Sequence, residues 1–284
     1  MMLRIKAIIQ LFRIELPLAA GVCTLIGATI SAGKLPPLWI ALSVFLCVFF
    51  ISSSAMISND YFDLDTDRVN APNRPLPSGH ALPRDAILLT FLTAILGLAA
   101  AAGIGLSALV VALVLWMIGL LYNRKGKATG LIGNLMVSAC VGMVFIFGAI
   151  AVGEPWNPVS WTLGGLAFCF DLGEENAADT MDVEGDRLRG SNSIAIIKGR
   201  RAALSNSGLL FGLFILISLL PVIFSWLGTL YLFILPIMDG YIIFCSLKII
   251  RSQTAQAGRS WVRWNYLGVT FCLLVFLLAR VVMR

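Results

Sequence analysis

Nine apolar runs, most of them close to the length of a bilayer-crossing helix, alternate with short polar islands along the chain. They fall at about Leu16–Ala32, Leu38–Ser58, Ala86–Ala102, Leu106–Tyr122, Leu131–Val152, Val159–Phe170, Ala202–Phe224, Leu227–Leu247 and Val262–Val282. A spanning helix needs about 20 predominantly apolar residues. The pattern therefore predicts an all-α polytopic membrane bundle of about nine transmembrane helices.

Composition and charge sharpen this. Hydrophobic residues make up 59% of 284 and charged residues 13%, proportions outside globular usage. With the N-terminus placed inside, Arg4, Lys6, Arg13, Arg68, Arg74, Arg84, Arg124, Lys125, Lys127, Arg187, Arg189, Lys198, Arg200, Arg201, Lys248, Arg251, Arg259 and Arg263 fall on inside segments. Only Lys34, Arg280 and Arg284 fall opposite. Basic residues accumulate on the cytoplasmic side of short loops, so the expected location is the cell membrane, with the N-terminus and the charged loops cytoplasmic. The net charge of +6 then reflects topology and anionic headgroups, with no nucleic acid as partner. The first apolar run contains Pro17 and continues into the bundle, so it reads as a membrane helix rather than a cleaved leader. Cys23, Cys47, Cys140, Cys169, Cys245 and Cys272 stand singly in apolar runs, without metal or disulfide spacing. His80, the sole histidine, reads as a solvated loop residue.

The chemistry concentrates in a repeat. Asp60, Asp63 and Asp67 follow the pattern DxxDxxxD and precede Arg68; Asp179, Asp182 and Asp186 follow the same pattern and precede Arg187. Offsets of three and seven place each set along one stripe of a helix, with Asn59 and Glu175 near the two stripes, while Asp65 and Glu184 point elsewhere. Facing carboxylates repel by about 4 kcal/mol per pair at 4 Å and an effective dielectric near 20. Several are therefore protonated or share cations, and Mg²⁺, which takes carboxylate, water and phosphate oxygens, is the natural one. Pairing of the aspartates with Arg68, Arg74, Arg187 and Arg189 as simple loop staples leaves the matched spacing unexplained. After the first set, "PNRPLPSG" stiffens the chain through Pro72, Pro75 and Pro77 and holds Arg74 near the carboxylates. "LYNRKGKATGLIGN" adds Tyr122, Arg124, Lys125 and Lys127.

Asn59–Gly79, read as NDxxDxxxD followed by PxRPLPSG, resembles the first signature of the UbiA superfamily of intramembrane prenyltransferases. "YNRKGKATGLIGNLMVS" is similar to that family's Tyr/Lys loop, and "DTMDVEGDRLRGSNSIAI" to its second aspartate-rich signature. The resemblance implies one domain over residues 1–284 in two pseudo-repeated halves, about 1–130 and 131–284, with a central cavity opening to the cytoplasm. It implies that Asn59, Asp63, Asp67, Asp182 and Asp186 hold Mg²⁺, and that the four aspartates, with Tyr122 and Lys127, act in catalysis. Asp60, Asp179, Arg68, Arg74, Lys125 and Lys127 are implied at the diphosphate. The implied reaction transfers a polyprenyl group from its allylic diphosphate to a membrane-associated acceptor and releases pyrophosphate. The donor is expected to be geranylgeranyl diphosphate, and membrane lipid surrounds both substrates.

"EGDRLRG" and "IFGAIAVG" (Ile146–Gly153) are similar to the archaeal lipid branch of the superfamily, which implies geranylgeranylglyceryl phosphate as acceptor. Glu174 stands where that branch usually has a basic residue, and Ser193-Ile194-Ala195 where it usually has Thr-Leu-Pro, which keeps an aromatic or quinone-precursor acceptor open. A cation transporter using the repeated Asp motifs is the alternative of another class. Asp171 and Asp239, deeper in the apolar runs, are left outside the site.

Overall fold

A computed structural model describes residues 2–282; Arg284, counted in the charge division above, lies outside them. The chain forms α1 (Met2–Leu11), α2 (Glu15–Ser31), α3 (Leu38–Phe62), α4 (Leu64–Asn70), α5 (Pro83–Ile104), α6 (Leu106–Arg124) and α7 (Leu131–Ala151). It continues through α8 (Pro158–Ala178), α9 (Val183–Leu188), α10 (Ile194–Ile197), α11 (Arg200–Ser218), α12 (Leu220–Ile223), α13 (Thr229–Ile250) and α14 (Ala255–Val282), with a 3-10 turn at Gly126–Thr129.

Among the described residues, each of the nine expected apolar runs falls on a long helix, but the expected count of nine spans is not reproduced. Seven are long and apolar enough to cross a bilayer: α3, α5, α6, α7, α11 with α12, α13 and α14. An eighth follows only if α1 and α2, bent by 41° at their junction, are taken as one span. The remaining long helix, α8, carries Asp171, Glu174 and Glu175 in its second half, and those charges set it apart from a lipid-facing span.

Packing follows residue size. α2 and α7 cross where glycines let the backbones touch: a Cβ on Gly27 would meet the Phe145 carbonyl oxygen at 2.1 Å, and one on Gly148 the Thr24 carbonyl oxygen at 2.2 Å. α3 and α5 lie together through small and hydroxylated residues, with the Ser54 hydroxyl donating to the Thr90 carbonyl at 2.8 Å. Such close approach is how helices associate where lipid is as apolar as the side chains. Leu88, Ile95, Leu106, Leu209, Leu216, Phe233 and Phe271 are exposed on the outside of the bundle, an apolar coat that suits acyl chains and would be costly in water. The protein is an integral membrane protein.

The two aspartate repeats fold alike. In each, a long helix gives way to a short one: α3 ends inside the first motif and α4 follows after Asp63 alone, whereas α8 ends just before the second motif and α9 follows a four-residue turn, 179–182. The expected single stripe on one helix is thus interrupted: Asp63 ends α3 with φ −89° and ψ 2°, and Asp182 plays the same part before α9 with φ −112° and ψ 11°. The two short helices pack on each other. Asn70 at the end of α4 accepts from the Gly185 amide at 3.2 Å and donates to the Asp182 carbonyl at 3.4 Å. The two ends of the repeat, 119 residues apart, therefore close over one space.

Candidate active site

That space is the polar mouth of a cavity of about 730 Å³ between the helices. Its deep wall is apolar, formed by Ile26, Val48, Phe145, Leu163, Phe170, Phe214 and Phe276 among others. Its mouth is lined by Asn59, Asp63, Asp67, Arg74, Tyr122, Lys127, Asp179, Asp182 and Asp186. A charged rim above a long apolar chamber fits an amphiphile with an anionic head.

Local structure explains how each side chain arrives. The kink at Asp63 is held by the Thr66 hydroxyl donating to the Asp63 carbonyl at 2.9 Å, and Asn59 donates to the Asp63 carboxylate at 3.0 Å from one turn back. The proline-stiffened turn after α4 brings Arg74 back onto both Asp67 oxygens at 2.7 and 2.6 Å. Lys127 sits in the 3-10 turn, which is docked on the segment after α9: Asn192 donates its amide to the Ala128 carbonyl at 3.0 Å. Gly130, with φ +67°, makes that contact possible, because a Cβ there would lie 2.1 Å from the Asn192 carbonyl oxygen. So placed, the Lys127 ammonium contacts both Asn59 and Asp63 and stands 5.6 Å from the centre of the Tyr122 ring.

Two expected diphosphate residues are not brought in. Arg68 is exposed and bonded to Asp65 at 2.7 Å, one turn away on the outer face of α4, and Lys125 is exposed at the end of α6. The helical phase that turns Asp67 inward turns Arg68 outward. Asp60 is buried behind the mouth, paired with Arg13 and 3.8 Å from Arg74. His80 is exposed and bonded to Ser78 at 2.7 Å.

Three cationic residues at the mouth were not on the expected list. Arg189 reaches Asp63 at 2.9 Å and Thr66 at 2.8 Å; Arg259 of α14 reaches Asp182; Arg13 reaches Asp60 from the bend between α1 and α2, with φ +43°. Arg189 lies in the run after the second motif and could have been weighted for that. Arg13 and Arg259 are brought by tertiary structure alone and carry no local signal.

The electrostatics are those of a crowded acidic site. Burial raises Asp67 above the ordinary carboxylate value, with Arg74 partly offsetting it. Burial also pushes Asp179 to about 7 and Asp186 to about 6, and it lowers the Lys127 ammonium against the pull of Asp63. These residues fit Mg²⁺ by donor chemistry, since the side chains supply carboxylate and amide oxygens from two facing motifs. Among the described residues no three acidic side chains converge as a closed cage. That suits an ion which takes one or two carboxylates and completes its shell from water and substrate phosphate.

Comparison with known proteins agrees with this arrangement. The family model described as the UbiA prenyltransferase family matches residues 20–279. The digeranylgeranylglyceryl phosphate synthase of Thermococcus kodakarensis is 32% identical over 98% of this chain and 99% of its own. That of Thermococcus sibiricus is 33% identical over 90% of this chain and 91% of its own. Among solved structures, one of a digeranylgeranylglyceryl phosphate synthase superposes with TM-score 0.73 at 28% identity, covering 98% of this chain and 99% of that one. A UbiA homologue from Aeropyrum pernix gives TM-score 0.82 at 22% identity over 94% and 98% of the two chains. A homologue from Archaeoglobus fulgidus, solved with geranyl diphosphate and Mg²⁺, gives 0.72 at 18% over 97% and 99%. The last two speak for the fold alone. The transporter alternative falls away, and with the whole length matched and both aspartate motifs gathered at one mouth, the chain belongs to the UbiA prenyltransferase family and is a membrane prenyltransferase.

Proposed function

We propose that this prenyltransferase moves a geranylgeranyl group from its diphosphate to the hydroxyl of geranylgeranylglyceryl phosphate, with Mg²⁺ as cofactor and the cavity mouth on the cytoplasmic side. The observation that carries the reading is the juxtaposition of two carboxylate motifs and their basic partners at the polar end of a long apolar cavity. The names of the relatives support the acceptor, and the ligands of the Archaeoglobus fulgidus homologue support an allylic diphosphate with Mg²⁺. The division of basic residues supports the orientation. A single domain over residues 1–284, in two halves that each contribute one motif, is part of the same reading.

On this assignment Asn59, Asp63, Asp67, Asp182 and Asp186 hold the metal, which when bound neutralises charge developing on the departing diphosphate. Lys127, Arg74 and Arg189 turn from their carboxylates to the diphosphate oxygens and stabilise the leaving group. Tyr122, at the boundary between mouth and chamber, presents its ring beside the reacting carbon, where a π face favours positive charge. The apolar wall keeps water from the allylic cation. Arg13 and Arg259, both at the mouth, are suited to an acceptor that carries its own phosphate.

The test is transfer by purified protein in lipid or detergent, with geranylgeranyl diphosphate, Mg²⁺, and either geranylgeranylglyceryl phosphate or a panel of hydroxylated aromatics. Ether formation on the glycerol acceptor is expected. Turnover confined to aromatics would move the assignment to that acceptor class, which Glu174, an acid in the cavity lining ill suited to a phosphate-bearing acceptor, would then explain. Absence of Mg²⁺-dependent pyrophosphate release with every acceptor would overturn the reading.

A further inference from the structure

Asp171 lines the cavity two helical turns below Asp179, and among the described residues it forms no ion pair with Arg or Lys. An ionisable residue at such depth is expensive and functional by default. Its carboxylate accepts one neutral hydrogen bond, from the Ser138 hydroxyl at 2.7 Å. It is also the lowest rung of a regular series. Asp171 and Glu175 of α8 and Asp179 at its cap are spaced by four, about 6 Å per rung at 1.5 Å per residue; each meets a neutral side chain of a neighbouring element, and the upper two also feel cations of the mouth, Glu175 that of Lys127 and Asp179 that of Arg189. Tyr122 of α6 faces Glu175 at 3.4 Å, and Asn134 of α7 donates to Asp179 at 3.0 Å.

Transfer to a hydroxyl liberates a proton: the C1–O bond to the acceptor forms, the C1–O bond to diphosphate breaks, and the acceptor's O–H proton must go to a base. The carboxylates Asp60, Asp63, Asp67 and Asp182 are engaged by Arg or Lys and belong to the leaving-group end. Once the diphosphate has departed toward the mouth, the face of the allylic cation left open to the acceptor is the one turned to the chamber, toward Asp171. We propose that Asp171 accepts the proton of the acceptor hydroxyl and that Glu175 and Asp179 form its route to the mouth. The groups facing Asp171 are Ser138 and Cys140 of α7, Tyr122 of α6, and Glu174 and Glu175 of its own helix. Among them only carboxylates continue toward the surface.

This inference rests on the proposed function, and the experiment separates the two. Wild-type protein, Asp171→Asn and Asp171→Glu are compared for ether formation and for Mg²⁺-dependent binding of geranylgeranyl thiodiphosphate. Wild-type protein that forms no ether with any acceptor sinks the function, not the base. With wild type active, Asp171→Asn is expected to bind the analogue within about three-fold of wild type and to lose about 10²-fold or more in kcat. It should also lose the acidic limb of the kcat–pH profile, with Asp171→Glu recovering at least a tenth of the activity. Asn-variant turnover within three-fold of wild type, or loss of analogue binding in step with turnover, overturns the proposal. If Asp171→Asn does not accumulate as folded protein, Ser138→Ala decides: withdrawing its hydroxyl should move the acidic limb to higher pH, and an unmoved limb counts against Asp171.

Discussion

Lys127 makes two contacts that a metal and a diphosphate would also seek, to Asn59 and to Asp63, so its charge is tied to the state of the site. Asp63→Ala leaves Lys127 and Arg189 facing each other without their shared carboxylate, and Asp182→Ala does the same to Arg259. Both variants are expected to drop transfer below about 1% of wild type while remaining folded, as read by product formation and by thermal melting. Survival of turnover in both would remove these aspartates from the metal assignment. Arg68→Ala and Lys125→Ala are expected to stay within about three-fold, because exposed pairs and free surface charges contribute about 0–1 kcal/mol at most. The acid–base balance yields a further expectation. Asp179 at about 7 and Asp186 at about 6 stand above the carboxylate value of 3.8, so both are largely protonated at pH 5 and largely ionised at pH 8. Folding holds those protons, so the metal-free fold loses stability as pH rises through this window. Mg²⁺ must displace the proton of Asp186, the one of the two assigned to the metal, so its half-saturating concentration should fall from pH 5 to about 7 and level off above that. A flat titration would contradict the site.

At the scale of elements, the places of the long helices were legible because apolar length alone dictates them, and the repeat of 119 residues was legible because spacing survives in sequence. The breaks at Asp63 and Asp182 were not. The same apolar and acidic periodicity runs through both sides of each break, and what bends the chain is tertiary: Lys127 and Arg189 pull on Asp63 from two other segments, and Asn70 stitches α4 to α9. Arg13 and Arg259 escaped for the same reason, while Arg68 lies on the outer face because its phase depends on where α4 begins. The acidic second half of α8 was visible as charge, yet only the fold shows it facing a cavity. The crossing of α2 and α7 gives a direct test. Gly27→Ala or Gly148→Ala places a methyl within 2.1 or 2.2 Å of a backbone oxygen, and overpacking of this kind costs about 1–3 kcal/mol. Thermal melting should fall by several degrees for either, and an unchanged midpoint would show that the helices can slide apart freely.

For the molecule as a whole, side-chain cations hold together the carboxylates that would otherwise force the mouth open. Chelation should therefore abolish transfer and leave the melting temperature within a few degrees of that of the Mg²⁺-loaded protein, unlike a zinc domain that unfolds without its metal. A collapse of the fold on chelation would show that the metal is structural. The same arrangement bears on the turnover cycle. Arg13, Arg74, Lys127, Arg189 and Arg259 are tethered competitors for the positions of the incoming ions, present at an effective concentration that no free ligand matches. Metal or diphosphate alone has to displace them unaided, whereas the two together replace both sides of every pair, so the substrates load in synergy. On the proposed assignment the tethers would swing back after bond formation, and the expected sign is pyrophosphate release that slows when Arg74 or Arg189 is replaced by Ala.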